Sequence, residues 1–378
     1  MREHRSKRLV HILPTFGIGG AEMIAASVVN GLGPSFEHVI VPLNGVRDAA
    51  SRLHSSARAD IVSAPGGKGT WRFPFRLYRS IRALSPDLVL TYNWGAMDAV
   101  TAATLGRICP VVHHEHGFGP DESITLKSRR VLVRSALLNT VPMTIVISKT
   151  LEHIALTRYR IQRKRVRFIQ TGVDTHKYAP RRNPSLRAQL GIAPDRFVIG
   201  YVGGLREEKN PQLLLRSFAQ AQMKNSHLLF VGDGPLRRDL HDLAGGLGLV
   251  GQVTFTGAIA DTAPYYNIMN LFAMSSNTEQ TPNALLEAMA SGVPAVCTAA
   301  GDTKRILGPD AASQTVPIGD RDAYVRVLRL MQADTQLLAG HANANLRRCT
   351  ELYSIDNMIE EYRRAYLSVI DAHTRPHA

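Results

Sequence analysis

Short apolar, β-rich runs alternate with helical patterns along this chain, and the alternation begins twice. In the first half the runs are Leu9–Leu13, Val39–Pro42, Ile61–Ala64, Leu88–Tyr92, Val111–His114, Thr144–Ile147 and Val166–Ile169. Between them lie helical stretches at Ala21–Leu32, Phe75–Leu84, Ala96–Leu105, Leu126–Leu138 and from Lys149 onward. Strands joined through helices run parallel, and the helices cover both faces of their sheet. Two prolines and mixed charge interrupt the rhythm between Lys177 and Pro184, which places a domain junction there. The pattern restarts with Phe197–Val202, His227–Val231, Val253–Thr256, Leu271–Met274 and Ala295–Thr298. Asn210 reads as an N-cap with Pro211 at the first helical position, and further helices run through Leu243 and over Pro282–Ala290. The chain is therefore α/β, with doubly wound domains over residues 1–180 and 181–350 and a C-terminal helix within 351–378 placed to return to the N-terminal domain. Ligands of such sheets bind at the carboxyl ends of strands, so facing domains put the chemistry in the cleft between them.

At 378 residues and 44% hydrophobic, the sequence can bury two cores. Its three cysteines, Cys109, Cys297 and Cys349, are far apart and unpaired in sequence, which argues against a disulfide framework or zinc knuckle and for a reducing compartment. The basic start (Arg2, Arg5, Lys7, Arg8) leads into an apolar run broken by Pro14, a first strand and loop and not a signal peptide. Charge-free runs such as Leu243 to Ala260 are broken by glycines, so no spanning helix is expected. Charge is lopsided: residues 1–180 carry 25 Lys and Arg against 12 Asp and Glu, whereas the rest carry 20 against 19. The first domain therefore faces a polyanion, nucleic acid or anionic lipid. In Trp71–Arg82, Arg72, Arg76 and Arg79 share one helical face, while Phe73, Leu77, Ile81 and Leu84 share another. That pattern suits a membrane interface or an ordinary surface helix packed on its sheet. No recognised nucleic-acid module surrounds the basic residues.

The most specific segment is Ser275 to Pro294. Thr281 is read as N-cap and Pro282 as the first helical residue, with Gly292 and Pro294 closing the helix. The free amides of Asn283, Ala284 and Leu285 then open the helix, where donors and dipole together stabilise an anion such as a diphosphate. Glu287, inside the helix, can accept two hydrogen bonds from a ribose diol, and Glu279, in the loop before it, can hold sugar hydroxyls. Amid small apolar neighbours, Glu287 needs a partner. Lys209 ends the strand-to-helix loop Gly203–Asn210 and can reach the same phosphates, a fixed cation for a leaving diphosphate.

In the first domain, Gly17, Gly19 and Gly20 let backbone approach a phosphate or a reacting sugar. The last glycine of a dinucleotide fingerprint is missing, so hydride transfer is a poor alternative. In His113-His114-Glu115-His116-Gly117, strand alternation puts His114 and His116 on one face and His113 on the other, without a third metal ligand at a familiar spacing.

Taken in order, these elements resemble the retaining family-four glycosyltransferases (glycosyl transferases group 1) of the GT-B fold, in which two Rossmann-like domains face across a cleft. The resemblance spans nearly the whole chain. Glu279 and Glu287 match the Glu-x7-Glu hallmark, Gly17–Glu22 the first glycine loop, His116-Gly117 the active-site histidine, and Val146-Ile147-Ser148 a recurrent strand end. Thr171-Gly172-Val173-Asp174 matches an Asn-Gly-Val-Asp crossover, and Gly232-Asp233-Gly234-Pro235 the ribose-side turn. The resemblance implies a hexosyltransferase with His116, Lys209 and Glu279 as catalytic residues. It implies a donor site of Gly19, Gly20, Arg206, Lys209, Glu279, Thr281, Pro282, Asn283, Ala284, Leu285 and Glu287. A UDP-sugar is the favoured donor, a GDP-sugar the alternative, and the acceptor is a glycan or a lipid-linked saccharide. No metal, cofactor or nucleic acid is expected. The expected place is the cytoplasm, with peripheral contact at the inner face of the membrane. A non-catalytic nucleotide-sugar-binding subunit and a nucleotide-sugar epimerase of the same fold are the alternatives. One departure bears on rate: the family's Gly-Arg-Leu is Gly203-Gly204-Leu205 here, which removes a diphosphate cation unless Arg206 supplies it from two residues on.

Overall fold

The computed structural model describes residues 5–117, 122, 125–181 and 183–374. Arg2 of the basic start and Arg182 of the junction segment lie outside the described residues. The chain forms two compact units, Met1–Thr171 with Asp356–Ala378, and Gly172–Ile355. The division falls ahead of the Lys177–Pro184 segment, for a backbone reason. Val173 N–H donates to the Tyr353 carbonyl at 2.8 Å and Ile355 N–H to the Val173 carbonyl at 2.9 Å, so the two stretches at the division are tied together as a parallel bridge. Gly172 permits the approach, since a Cβ there would lie 2.6 Å from the Ser354 carbonyl oxygen.

In the first unit the strands are β1 (Lys7–Leu13), β2 (Phe36–Pro42), β3 (Ala59–Ile61), β4 (Leu88–Tyr92), β5 (Val111–Glu115), β6 (Met143–Val146) and β7 (Val166–Phe168). They pair in the order β3-β2-β1-β4-β5-β6-β7, all parallel. The second unit holds β8 (Phe197–Val202), β9 (Ser226–Val231), β10 (Val253–Phe255), β11 (Leu271–Met274), β12 (Ala295–Thr298) and β13 (Thr315–Val316). Their order is β10-β9-β8-β11-β12-β13, again parallel. Each sheet thus reverses its winding once, between β1 and β4 and between β8 and β11. At such a reversal neighbouring loops leave in opposite directions and open a crevice at the carboxyl ends of the strands.

Strands covered on both faces are buried along their length, as in β9, where every residue is buried and Leu228 to Val231 are apolar. The Pro211–Ala221 helix packs Leu214, Leu215 and Phe218 into one core of the second unit, and the Asn283–Ala290 helix packs Leu285, Leu286 and Met289 into the other. Each such side chain contributes about 1.5–3 kcal/mol by leaving water. Asn210 caps the Pro211–Ala221 helix as its sequence implies, accepting from Leu213 N–H at 3.2 Å with Pro211 in the first turn.

The C-terminal helix, Ile355–Thr374, belongs to the first unit, where its Tyr362 and Tyr366 are buried. Tyr366 Oη lies 2.9 Å from His114 Nε2, and the His114 ring stacks on Tyr92 at 4.5 Å. The network continues from Tyr92 Oη to His11 Nδ1 and from His11 Nε2 to His38 Nδ1, each 2.9 Å. Burial pushes His11 and His114 well below the ordinary histidine value and His38 down to about 4. These rings stay neutral in the fold yet take up protons below about pH 6.5 once unfolded. The unfolded chain therefore binds more protons between about pH 6.5 and 4, and stability falls as pH drops through that window. The slope is about 1.4 kcal/mol per pH unit for each such histidine. A thermal unfolding midpoint that decreases steadily from pH 7 to pH 5 is expected, and a midpoint flat over that range would contradict the buried neutral network.

Candidate active site

The winding reversal of the second sheet is where most of the sequence-selected residues meet. Beyond β8, Gly203 N–H donates to the Val231 carbonyl at 3.0 Å, Leu205 N–H to Asp233 at 3.0 Å and Leu236 N–H to Leu205 at 3.1 Å. The loops after β8 and β9 therefore lie backbone on backbone. A Cβ on Gly232, whose φ is +141°, would sit 2.0 Å from the Gly203 carbonyl oxygen, so only glycine fits there. The following turn, Glu207–Lys209, ends in Asn210 in the left-handed conformation.

Across the reversal, the loop after β11 is fastened to this turn. Ser275 Oγ donates to the Asn210 carbonyl at 2.8 Å, and Asn277 N–H to the Glu208 carbonyl at 2.9 Å. These contacts bring together side chains 70 residues apart: Lys209 Nζ donates to Glu279 Oε1 at 2.6 Å. Ser276 Oγ donates to the same oxygen at 2.7 Å. Glu279 keeps 9% of its side chain exposed and Lys209 31%, so the cation is the more open member of the pair. Behind them, Gly301 at φ +54° lies against the backbone of Glu279, where a Cβ would come within 2.2 Å of its carbonyl oxygen. Sequence reading missed Ser276 and Gly301. Their roles depend on approaches between loops that no local spacing announces.

The helix after this loop spans Asn283–Ala290, one residue later than expected. Pro282, at φ −72° and ψ 104°, stands at the N-cap, and Thr281 does not cap the helix with its side chain. The Pro282 carbonyl accepts from Leu285 N–H at 3.1 Å and from Leu286 N–H at 3.3 Å. The Leu285 amide is therefore used within the fold, which corrects its assignment to an anion. The N–H groups of Asn283 and Ala284 open the helix without an acceptor among the described residues. Those two are the donors that helix geometry leaves for a phosphate.

Glu287 has the partners that its apolar surroundings require. Tyr266 Oη donates to Oε2 at 2.8 Å, with Thr262 Oγ1 at 3.5 Å, and Thr262 in turn lies 3.1 Å from Tyr178 Oη. Burial pushes the carboxyl above its usual value, opposed by hydrogen bonds from Tyr266 and Tyr178. Tyr178, Thr262 and Tyr266 were not singled out from sequence, since they come from segments far from the motif. Arg206 does not reach this cluster: its recorded ionic neighbour is Glu208, 3.9 Å away, and its side chain is exposed. Its Nε lies 3.1 Å from where a Cβ on Gly204 would stand, so Arg206 lies over the position of the absent family arginine.

In the first unit, Gly19 precedes the Gly20–Leu32 helix as its N-cap, and a Cβ on Gly19 would meet the Glu22 carboxylate at 2.5 Å. A Cβ on Gly20 would meet nothing within 4 Å. His116 follows β5, buried, and its backbone N–H donates to Asn93 Oδ1 at 2.8 Å. Among the described residues neither ring nitrogen has a hydrogen-bond partner, and burial pushes the ring down to about 4, so it is neutral at pH 7. His113 lies 2.8 Å from Thr91 Oγ1 and His114 bonds Tyr366, on opposite faces as strand alternation requires. Among the described residues, no three His, Cys, Asp or Glu side chains cluster as a metal-ligand set.

With this geometry in view, residues 18–177 match the family model for Glycosyltransferase Family 4, and residues 196–334 match the one for Glycosyl transferases group 1. The lipopolysaccharide core biosynthesis glycosyltransferase LpsE of Rhizobium meliloti (strain 1021) is 33% identical over 151 residues, 40% of this chain and 44% of that protein. The UDP-Gal:alpha-D-GlcNAc-diphosphoundecaprenol alpha-1,3-galactosyltransferase of Escherichia coli is 24% identical over 307 residues, 78% of each. The solved structure of Anabaena HepE in complex with UDP is similar in fold, with a TM-score of 0.83 at 19% identity, covering 96% of this chain and all of that one. Two parallel, doubly wound sheets and family matches over both halves identify the chain as a GT-B glycosyltransferase of family four, glycosyl transferases group 1.

Proposed function

We propose that this glycosyltransferase moves a hexose from a nucleotide diphosphate sugar, a UDP-sugar in preference to a GDP-sugar, to a glycan or lipid-linked acceptor in cell-envelope or exopolysaccharide synthesis. The observation that carries the reading is the Lys209–Glu279 pair, joined through one loop to a helix start with two open amides and to Glu287. The diphosphate sits on the Asn283 and Ala284 amides, Glu287 accepts the ribose hydroxyls, and Glu279 holds hydroxyls of the sugar. The relatives support the chemistry of donor and product: HepE was solved with UDP, LpsE builds lipopolysaccharide core, and the Escherichia coli relative acts on a diphosphoundecaprenol-linked sugar.

Departure of the nucleoside diphosphate concentrates negative charge on its terminal phosphate as the bond from the anomeric carbon to oxygen breaks. Lys209, with one side open, stabilises that charge beside the helix dipole, so the reading invokes no metal. For retention, which the family resemblance implies, the acceptor oxygen attacks the face that the diphosphate leaves, and a phosphate oxygen takes the hydroxyl proton. Neutral His116 is the sugar-contacting histidine that the family resemblance implies. In donor hydrolysis and transfer assays, Lys209→Ala is expected to lower kcat by about 10²–10³, and a variant at the wild-type rate would contradict the role. Gly204→Arg meets only the flexible Arg206 side chain and should raise kcat/KM. A slower, equally stable Gly204→Arg enzyme would show that Arg206 already serves the phosphates.

The basic first unit also offers a surface for an acceptor held in an anionic membrane. In the Phe73–Ala83 helix the expected apolar face, Phe73, Leu77 and Ile81, is buried in the fold. Trp71 and Phe75 are instead 84% and 62% exposed, with the Arg72 guanidinium 5.0 Å over the Trp71 ring. Residues 61–86 contain Lys68, Arg72, Arg76, Arg79 and Arg82 and no acidic residue. Among the described residues, no helix is long and apolar enough to cross a membrane. Exposed aromatics within a basic collar suit peripheral contact with anionic lipid. Co-sedimentation with phosphatidylglycerol vesicles at low salt should be strong for the wild type and weak for Trp71→Ser/Phe75→Ser; negligible wild-type binding would remove the proposal.

A further inference from the structure

The first sheet has its own winding reversal, and the residue after β4 there is Asn93. Its backbone is held at φ +53° and ψ −177°, a region that costs a non-glycine residue about 1–3 kcal/mol. Glycine would adopt this conformation freely and still make both backbone bonds recorded here, Asn93 N–H to the His114 carbonyl at 2.8 Å and Ala96 N–H to the Asn93 carbonyl at 3.2 Å. What asparagine adds is its side chain. Oδ1 accepts from the His116 backbone N–H at 2.8 Å, which fixes how the amide is turned. With the oxygen committed to an N–H, the NH2 group is the free edge, and it has no acceptor among the described residues.

Directly joined to this clasp is His116, 91% buried, with both ring nitrogens unpartnered among the described residues. A partly exposed amide donor and a buried imidazole without a partner among the described residues thus stand at the carboxyl ends of β4 and β5. The glycine loop Gly17–Gly20 leaves β1 on the other side of the same reversal, and Gly95 packs on Pro14, so close that a Cβ would lie 2.7 Å from it. Buried polar groups without partners are costly unless a ligand completes them.

We infer that Asn93 is a substrate-binding residue, whose Nδ2 donates to a sugar hydroxyl while its Oδ1 holds His116 in place to contact the same sugar. A hydroxyl both donates and accepts, as a neutral imidazole does, so a polyol ring satisfies both residues where a purely anionic group would satisfy only donors. The inference rests on the glycosyltransferase assignment and names what the first unit contributes to it.

Two variants separate binding from scaffolding. Asn93→Asp keeps an oxygen for the His116 N–H but loses the outward donor, and Asn93→Gly relieves the backbone while losing both. Each is assayed for hydrolysis of UDP-glucose and UDP-galactose without acceptor, for transfer, for UDP binding by calorimetry and for thermal unfolding. Both variants are expected to lose roughly tenfold or more in kcat/KM, the effect of one lost hydrogen bond to the sugar. UDP affinity should be unchanged in both, and the Asn93→Gly unfolding midpoint equal to or above that of the wild type. Loss in hydrolysis as well as transfer marks the transferred sugar as the ligand, and loss in transfer alone marks the acceptor sugar. Wild-type kcat/KM in Asn93→Asp, or a lowered midpoint that accounts for the loss in Asn93→Gly, would overturn the inference. A wild-type enzyme that fails to bind UDP would count instead against the donor reading.

Discussion

The second unit depends on two loops being pressed together where its sheet changes direction. Lys209 and Glu279 are far apart along the chain, yet the Ser275 hydroxyl and the Asn277 amide bond the backbone of the Glu207–Asn210 turn and leave the two charges 2.6 Å apart. Without that fastening a surface lysine and a loop glutamate would form a mobile pair of little worth. With it, the carboxylate is largely covered while the ammonium stays more open, and the helix that follows begins four residues on, at Asn283. Gly232, Gly234 and Gly301 permit this arrangement, because a side chain on any of them would collide with neighbouring backbone and push the loops apart.

That dependence explains what could be read in the residues alone and what could not. Alternating strand and helix signals are local, so both sheets, their parallel sense and the Asn210–Pro211 helix start were legible. The spacing of Glu279 and Glu287 is also local, since one short loop and the first turns of the helix after it span the distance. The partners of Glu287 are different: Tyr266 and Tyr178 come from segments 21 and 109 residues away, and only the folded sheet brings them to the carboxylate. Thr281 as a cap failed for a smaller reason. Threonine outranks proline at that position by propensity, but the chain turns into the helix one residue later, and the Pro282 carbonyl, not a side chain, receives the first amides.

The first unit shows a second kind of constraint, burial of polar groups in a chosen protonation state. His11, His38, His114 and Tyr92 are joined by hydrogen bonds and ring stacking, and the C-terminal helix supplies Tyr366 to that network. His116 sits beside them and has no such partner among the described residues. A cluster of histidines on one strand invites a metal reading from sequence. The hydrogen bonds distribute these rings between a structural network and a single open position, a distinction that only three-dimensional placement makes. The arginine-rich helix illustrates the same point for surfaces, because its apolar stripe is consumed by the fold while two aromatics outside that stripe remain exposed.

The most direct measurement of the central claim is a crystal structure of the protein with UDP. The account predicts phosphate oxygens within hydrogen-bonding distance of the Asn283 and Ala284 amides and of Lys209 Nζ, with the ribose hydroxyls on Glu287. Nucleotide density lying elsewhere, with the start of the Asn283–Ala290 helix bound only to solvent, would contradict it.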